Sequence, residues 1–448
     1  MMIREMQIAR ERVAAVMSRP IADFAAKSKA TGRYAAAAAV VAAVLVAGSA
    51  QSAAAATGIH APFQAPIENV FASWLHDEIR PEAIAAGVSP DVFDKATAGI
   101  KPDWSLPEVT QPGGLIAQPD WQAEFRSPGA YFNEKNLAAL AAAGKQQLSQ
   151  WSKTLAAIEK SYGVPKEIIV AIWARETGFG SEVLAHAAIP VLATEAYTGL
   201  RKATFRVELI AALKIVQTGE VTANDMRSSS LGALGQPQFL PSQFLKYAVD
   251  FDGDGKRNIW SSVPDSLASI ANFLKGSGWI ANRPWGVEAK VPPSVACSLE
   301  GPEQGKPLSA WAKLGVTTFS GQPLSGPPSG TDFLLMPAGR LGPAFIVSQN
   351  FYTLKSYNDS DLYALFVGNL ADRMAGRGAF SAPWSRVGPF TRQTVKTMQN
   401  ALVAQGFDVG NADGFIGFKT RIALGLRQAK HGEPATCFPN ANDIKVIR

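Results

Sequence analysis

Two cysteines, Cys297 and Cys437, and four histidines, His60, His76, His186 and His431, are all that 448 residues contain of those types. Groups so few and so scattered offer no His/Cys spacing for a bound metal. They offer no nucleophile–His pair for covalent catalysis either. A long apolar run is also missing. The stretch from Tyr34 to Ala47 has 14 residues, short of the roughly 20 that a membrane-crossing helix needs. Strong charge of one sign is absent outside the N-terminus. The formal net charge is +6, but residues 1–53 hold seven Lys/Arg and three acids, which leaves 36 basic against 34 acidic residues, a net of +2. A remainder so near neutrality, with no Arg/Lys cluster interleaved with aromatics, speaks against nucleic acid as a partner.

What is present is a globular composition, 47% apolar and 18% charged. At this length two or three domains are expected. Residues 1–55 read as a signal peptide: a basic region ending at Arg33, the apolar run, then the small residues 48–56. That pattern implies export, with cleavage near Ala50–Ala56 or retention as an anchor. An exported chain can pair its cysteines. Cys297 and Cys437 fall in different expected domains, so their pairing stays open.

Helical spacing begins at Ile67, with Phe71, Trp74, Leu75 and Ile79 on one face. Ser89 and Pro90 open another helix as N-cap and first residue. Residues 101–130, rich in Pro, Gly and Asp, read as an irregular crossing, and Leu137 to Tyr162 as one long helix. The next helix, from Pro165 to Gly178, is the focus. Ile169, Ile172 or Trp173, and Glu176 share a face, so a carboxylate lies among apolar residues in the last turn. Burial and the negative end of the helix dipole both push its pKa upward. Glu176 is then either a proton donor, a satisfied core residue, or half of an ion pair with Arg175.

Three further stretches carry chemistry. Residues 228–242 form a small-residue loop with Gln236 and Gln238 as amide donors and acceptors, followed by a helix from Pro241 or Ser242. Asp250, Asp252 and Asp254 occupy positions 1, 3 and 5 of half a calcium loop, with Gly255 at position 6. The usual Glu at position 12 is Ser261, and Asp265 is the nearest carboxylate that can close the site. Residues 285–350 carry short β-type runs at Val287–Val291, Val316–Phe319, Phe333–Met336 and Ala344–Val347. Helix returns over Ser360–Met374, residues 376–389 read as a linker, and residues 390–448 as a small domain with helices at Thr394–Gln405 and Lys419–Ala429.

These residues resemble a known family. Glu176-Thr-Gly-Phe-Gly180 is similar to the Glu-Thr-x-x-Gly signature of lytic murein transglycosylases of the B type. The loop from Gly232 to Ser242, the run from Tyr247 to Gly255, Leu341–Phe345, Asn350-Phe351 and Tyr357-Asn358 resemble later motifs of that family, over residues 66–375. The C-terminal part resembles a three-helix peptidoglycan-binding domain through Leu402, Gly406, Asp413-Gly414, Gly417 and Thr420.

The resemblance implies a mainly α (α+β) fold, with a lysozyme-like catalytic domain, a small strand-bearing insert and the C-terminal three-helix domain. It implies a periplasmic enzyme acting on peptidoglycan glycan strands, with cell-wall synthesis or remodelling proteins as partners. Cleavage of the β-1,4 bond after N-acetylmuramic acid would leave 1,6-anhydro ends, with Glu176 as lone acid and base where ordinary glycosidases use two carboxylates. Ser229, Gln238, Tyr357 and Asn358 match groove residues. Asp250, Asp252, Asp254 and Asp265 would hold a structural Ca²⁺, and no cofactor is required. Phe273 stands where a groove tyrosine is expected, and Pro237 replaces a small residue. A hydrolytic muramidase, or a wall-binding protein without activity, are the competing readings.

Overall fold

A computed structural model of the chain describes residues 61–107, 109, 128–326, 330–385, 387–388 and 390–439. The expected signal segment and most of the crossing at 101–130 lie outside the described residues. Helix α1 (Ala61–Trp74) runs through a π-helical turn at Leu75–Ile79 into α2 (Arg80–Ala85). Helix α3 (Pro90–Thr97) starts as expected, with the Ser89 hydroxyl accepting from the Val92 amide at 3.3 Å.

The expected long helix over 137–162 is two, α4 (Glu134–Gln150) and α5 (Ser152–Tyr162), broken at Trp151. Neither Gly nor Pro marks that break. Trp151 packs against the main core, so tertiary burial of the indole overrides local helix propensity.

Helix α6 (Lys166–Thr177) is the central element. Every residue from Ile168 to Ala174 is buried, and a helix apolar on all sides belongs inside a core. Gly178 ends it with φ 54°, where its lack of Cβ makes the left-handed turn cheap. Helices α4 and α5 pack on it; α7 (Ala188–Thr198) packs on α8 (Lys202–Gln217), α8 on α9 (Pro241–Tyr247), and α9 on α10 (Val263–Gly276), which itself returns to α6. A two-stranded ladder, β1 (His186–Ala187) with β2 (Arg227–Ser228), leads from α6 into the loop at 228–240.

The insert is a four-stranded antiparallel sheet in the order β4-β3-β6-β5. Its strands are β3 (Gly286–Lys290), β4 (Thr317–Thr318), β5 (Phe333–Leu335) and β6 (Ala344–Val347), with α11 (Leu308–Lys313) before β4. Side chains alternate between its faces. Phe333, Leu335, Phe345 and Val347 join the helical core, whereas Leu334, Ala344 and Ile346 join a second core around Trp311. Helices α12 (Gln349–Lys355) and α13 (Asp361–Met374) follow, and every residue from Leu362 to Ala371 is buried as α13 packs on α4 and α6.

After residue 390 the described chain holds α14 (Arg392–Ala404) and α15 (Phe418–Lys430) around Val395, Met398, Leu402 and Leu424. Buried Gln399 organises the turn between them, its amide donating to the Phe415 carbonyl at 2.9 Å and accepting from the Gly414 N–H at 2.7 Å. The segment at 376–388 is no free tether. Trp384 stacks on Phe132 (centroids 5.1 Å apart), Phe380 meets Phe345, and Glu288 accepts from the Ser381 and Ala382 amides. A disulfide joins Cys297, beside the sheet, to Cys437 beyond α15. The described residues from 61 onward form one compact unit.

Candidate active site

Glu176 lies in the last turn of α6, half-buried. Burial raises its pKa from 4.5 to about 7; the Tyr363 hydrogen bond and the Arg175 charge oppose the rise, and Glu182 adds to it. Arg175 does not form the expected ion pair with its neighbour. Its Nη2 donates to the Tyr131 hydroxyl at 2.9 Å, and the guanidinium lies 5.3 Å and 5.5 Å from the Tyr131 and Phe366 ring centres. Cation–π contact of this kind holds the charge without a carboxylate.

The group that does meet Glu176 is Tyr363, in the first turn of α13. Its hydroxyl donates to Glu176 Oε1 at 2.5 Å. Tyr357 stacks on Tyr363, with centroids 6.4 Å apart and planes 11° from parallel, and its own hydroxyl donates to the Pro237 carbonyl at 2.6 Å. Burial pushes both phenols well above their ordinary pKa, so they act as neutral donors. Phe273 packs edge-on against Tyr357 at 4.7 Å and against Tyr247 at 4.9 Å. The phenylalanine at that position therefore buttresses Tyr357 from α10. Tyr363 escapes sequence reasoning because its spacing in α13 is that of a core residue. A signal does exist: a tyrosine in a buried stripe needs a partner for its hydroxyl.

The loop at 228–240 separates its two glutamines into different roles. Gln236 is a buried clamp. Its Oε1 accepts from Trp173 Nε1 at 2.8 Å, its Nε2 donates to the Trp260 carbonyl at 3.2 Å, and its carbonyl accepts from Thr177 Oγ1 at 2.9 Å. Gly180 shows why the signature ends in glycine, since a Cβ there would sit 2.5 Å from Gln236 Oε1 at φ 74°. Gln238 is the more exposed of the two and sits at φ 56°, a left-handed conformation that is strained for a side chain and concentrates at functional loops. Its Nε2 donates to the Gly235 carbonyl at 2.9 Å. Ser229 braces the same loop, its hydroxyl accepting from the Leu231 and Ala233 amides at 3.3 Å and 3.2 Å. Asn358 is exposed and accepts from the Ser360 amide at 3.3 Å.

Two cavities flank the end of α6. One of about 720 Å³ is lined by Tyr131, Arg175 and Asn358 on one side and by Asp413, Phe415 and Phe418 of the C-terminal segment on the other. A smaller one, about 200 Å³, is lined by Thr177, Glu182, Gln236 and Trp260. Glu176, Tyr363, Tyr357 and the Pro237–Gln238 turn thus form one connected constellation, and Asn358 opens onto the larger cavity.

The aspartates divide differently from expectation. Carboxylate oxygens of Asp250, Asp252 and Asp254 lie within 4.8 Å of one another, and all three residues are exposed. Gly253 and Gly255, at φ 79° and 89°, give the loop its turn. Hard oxygen donors at this separation suit Ca²⁺. Asp265 does not join them. Its Oδ1 accepts from the Phe251 and Asp252 amides at 2.8 Å and 3.4 Å, and its Oδ2 from the Asn258 amide at 2.8 Å. Burial pushes its carboxyl up and those amides oppose the rise. At the start of α10 it ties both ends of the loop together from inside, instead of acting as the fourth ligand.

Residues 70–372 match the sequence family described as the transglycosylase SLT domain. The chain is 31% identical over 234 residues to membrane-bound lytic murein transglycosylase B of Escherichia coli (strain K12). That match spans 51% of this chain and 62% of the relative's length. SltB3 from Pseudomonas aeruginosa, solved in complex with NAG-anhNAM-pentapeptide, superposes with TM-score 0.74 at 39% identity, covering 84% of this chain and 99% of that one. The Escherichia coli lytic transglycosylase Slt35 in complex with calcium superposes with TM-score 0.54 at 26% identity, over 67% and 92% of the two chains. The mainly α architecture is therefore the one those lytic transglycosylases share.

Proposed function

The chain belongs to the transglycosylase SLT family, and on that premise we propose that it is a lytic transglycosylase, cutting the β-1,4 bond between N-acetylmuramic acid and N-acetylglucosamine in peptidoglycan. The observation that carries this reading is the Glu176 carboxyl, raised to about 7 and met by a neutral hydroxyl instead of a cation. Such a group holds its proton near neutrality and yields it to a leaving oxygen. With Oε1 engaged by Tyr363, Oε2 carries the proton toward the glycosidic oxygen. The C1–O4 bond breaks, and the leaving sugar takes that proton. Glu176, now a carboxylate, accepts the C6 hydroxyl proton of the muramoyl unit as O6 bonds to C1 and closes the 1,6-anhydro ring. The substrate's own acetamido group supports the cationic centre between these steps, with Gln238, Tyr357 and Asn358 on the glycan and Ser229 bracing their loop.

We assign action to the periplasm, and wall docking to residues 390–448. Among the described residues no helix is long and apolar enough to cross a membrane. We also propose that Asp250, Asp252 and Asp254 hold a structural Ca²⁺ while Asp265 shapes their loop. Mass analysis of fragments released from purified peptidoglycan tests the activity. The wild type should yield 1,6-anhydro-muramoyl ends, and Glu176→Gln should lose them by on the order of a thousandfold. Reducing ends from the wild type would replace this reading with hydrolysis.

A further inference from the structure

Outside the acid site, a buried charge cluster lies where three parts of the chain meet. Arg421 of α15 donates through Nε and Nη2 to Glu300 Oε1 and Oε2 at 2.8 Å and 3.0 Å. The same Nη2 reaches Asp361 Oδ2 at 3.0 Å. Asp361 Oδ1 in turn lies 3.0 Å from Lys355 Nζ. Glu300 is fully buried and Arg421 is 2% exposed. A buried network of two cations and two anions is a poor source of stability, because desolvation of each ion works against it. Its position points elsewhere. Lys355 is the last residue of α12 and Asp361 the first of α13. Their ion pair closes the mouth of the loop that carries Tyr357 and Asn358, and Tyr363 follows Asp361 within the same helical turn.

Resting on the reading of Glu176 as the acid, we propose that Arg421 is a positioning residue: through Asp361 it fixes the Tyr357–Asn358 loop and the Tyr363 hydroxyl against Glu176. The C-terminal segment then completes the acid site as well as docking on the wall. Arg421 touches neither Glu176 nor Tyr363, so its action passes through the start of α13. The disulfide between Cys297 and Cys437 keeps α15 attached when Arg421 is changed, which separates mispositioning from detachment.

The test uses the full chain and a soluble N-acetylglucosamine–N-acetylmuramic acid tetrasaccharide, with kcat and KM for anhydro product followed across pH. Arg421→Met should lower kcat on the order of tenfold, with KM moving far less, as expected for a small displacement of catalytic groups. The groups facing Glu176 are Arg175 on its own helix, Glu182 in the following loop, and Tyr357 and Tyr363 on the segment that Arg421 holds. Loss of the Tyr363 donor removes a stabiliser of the carboxylate, so the basic limb of the profile should move to higher pH. Arg421→Lys should restore part of kcat. The paired change Glu300→Met with Arg421→Met leaves no lone charge at that contact, and should fold yet keep the kcat loss. Lys430→Ala, at the exposed end of α15, should behave as wild type. Arg421→Met added to Tyr363→Phe should cost little more than Tyr363→Phe alone, since coupled sites are not additive. Wild-type kcat in Arg421→Met, or a loss additive with Tyr363→Phe at an unmoved basic limb, overturns the proposal. Anhydro product from Glu176→Gln would instead overturn the reading of the acid itself.

Discussion

Glu176, half-buried, and Glu300, fully buried, are both carboxylates drawn away from water, yet their surroundings make opposite use of them. Glu300 faces the fork of Arg421 and the Met336 amide, so both its oxygens are held by donors. Glu176 faces a phenol, while the nearest cation, Arg175, is turned toward Tyr131. Burial raises both carboxyls, but only at Glu300 does a cation fork hydrogen-bond the carboxylate against it. A buried acid becomes a proton carrier when its partner is neutral, and a structural tie when its partner is a guanidinium.

That contrast can be broken by one substitution made twice. Glu300→Gln strips the charge from the Arg421 fork and should destabilise the fold by about 4 kcal/mol, read from urea midpoints. Replacing Cys297 and Cys437 with Ser loosens the same junction across 140 residues. The expected loss is about 3 kcal/mol, seen as a lower melting temperature.

Glu176→Gln should act in the other direction. The native carboxyl holds a proton up to about pH 7 that the unfolded chain releases near 4.5. Its contribution is therefore intact below 4.5 and is lost as the pH rises through 7. Allowing for partial exposure, the Gln variant should be more stable than wild type by about 2 kcal/mol at pH 8 and equal to it at pH 4. If both Gln variants shift stability with the same sign at pH 8, the two sites do not differ in the way described. The smallest effect concerns the aspartates. Ca²⁺ at ten times its Kd should add about 1.4 kcal/mol, and Asp254→Ala should abolish that gain; a response that survives Asp254→Ala would place the ion elsewhere.

Much of the fold was legible because local chemistry and tertiary structure agree. Ser89 caps its helix, Gly178 ends α6, and the β-type runs of the insert are strands within a residue or so of where the sequence puts them. Glu176 stood out because a carboxylate broke an apolar pattern. Tyr363 did not, because an aromatic at helical spacing looks like core, and its partner lies 187 residues away in sequence. Gln236 and Gln238 are alike as residue types, and only the family resemblance singles out Gln238; burial against Trp173 and Trp260 makes Gln236 a clamp. Asp265 misled for a related reason. Spacing can bring a carboxylate near a loop, but whether it faces a cation or backbone amides depends on where α10 begins.

The disulfide makes the chain between Cys297 and Cys437 a covalent ring. Tyr357, Asn358, Tyr363 and Arg421 all lie on that ring, and Glu176 lies on the tail outside it. A protease nick at the exposed turn around Gly321 opens the ring but leaves one molecule. A single cut between Glu176 and Cys297 has no such safeguard, and divides the acid from the hydroxyl that attends it.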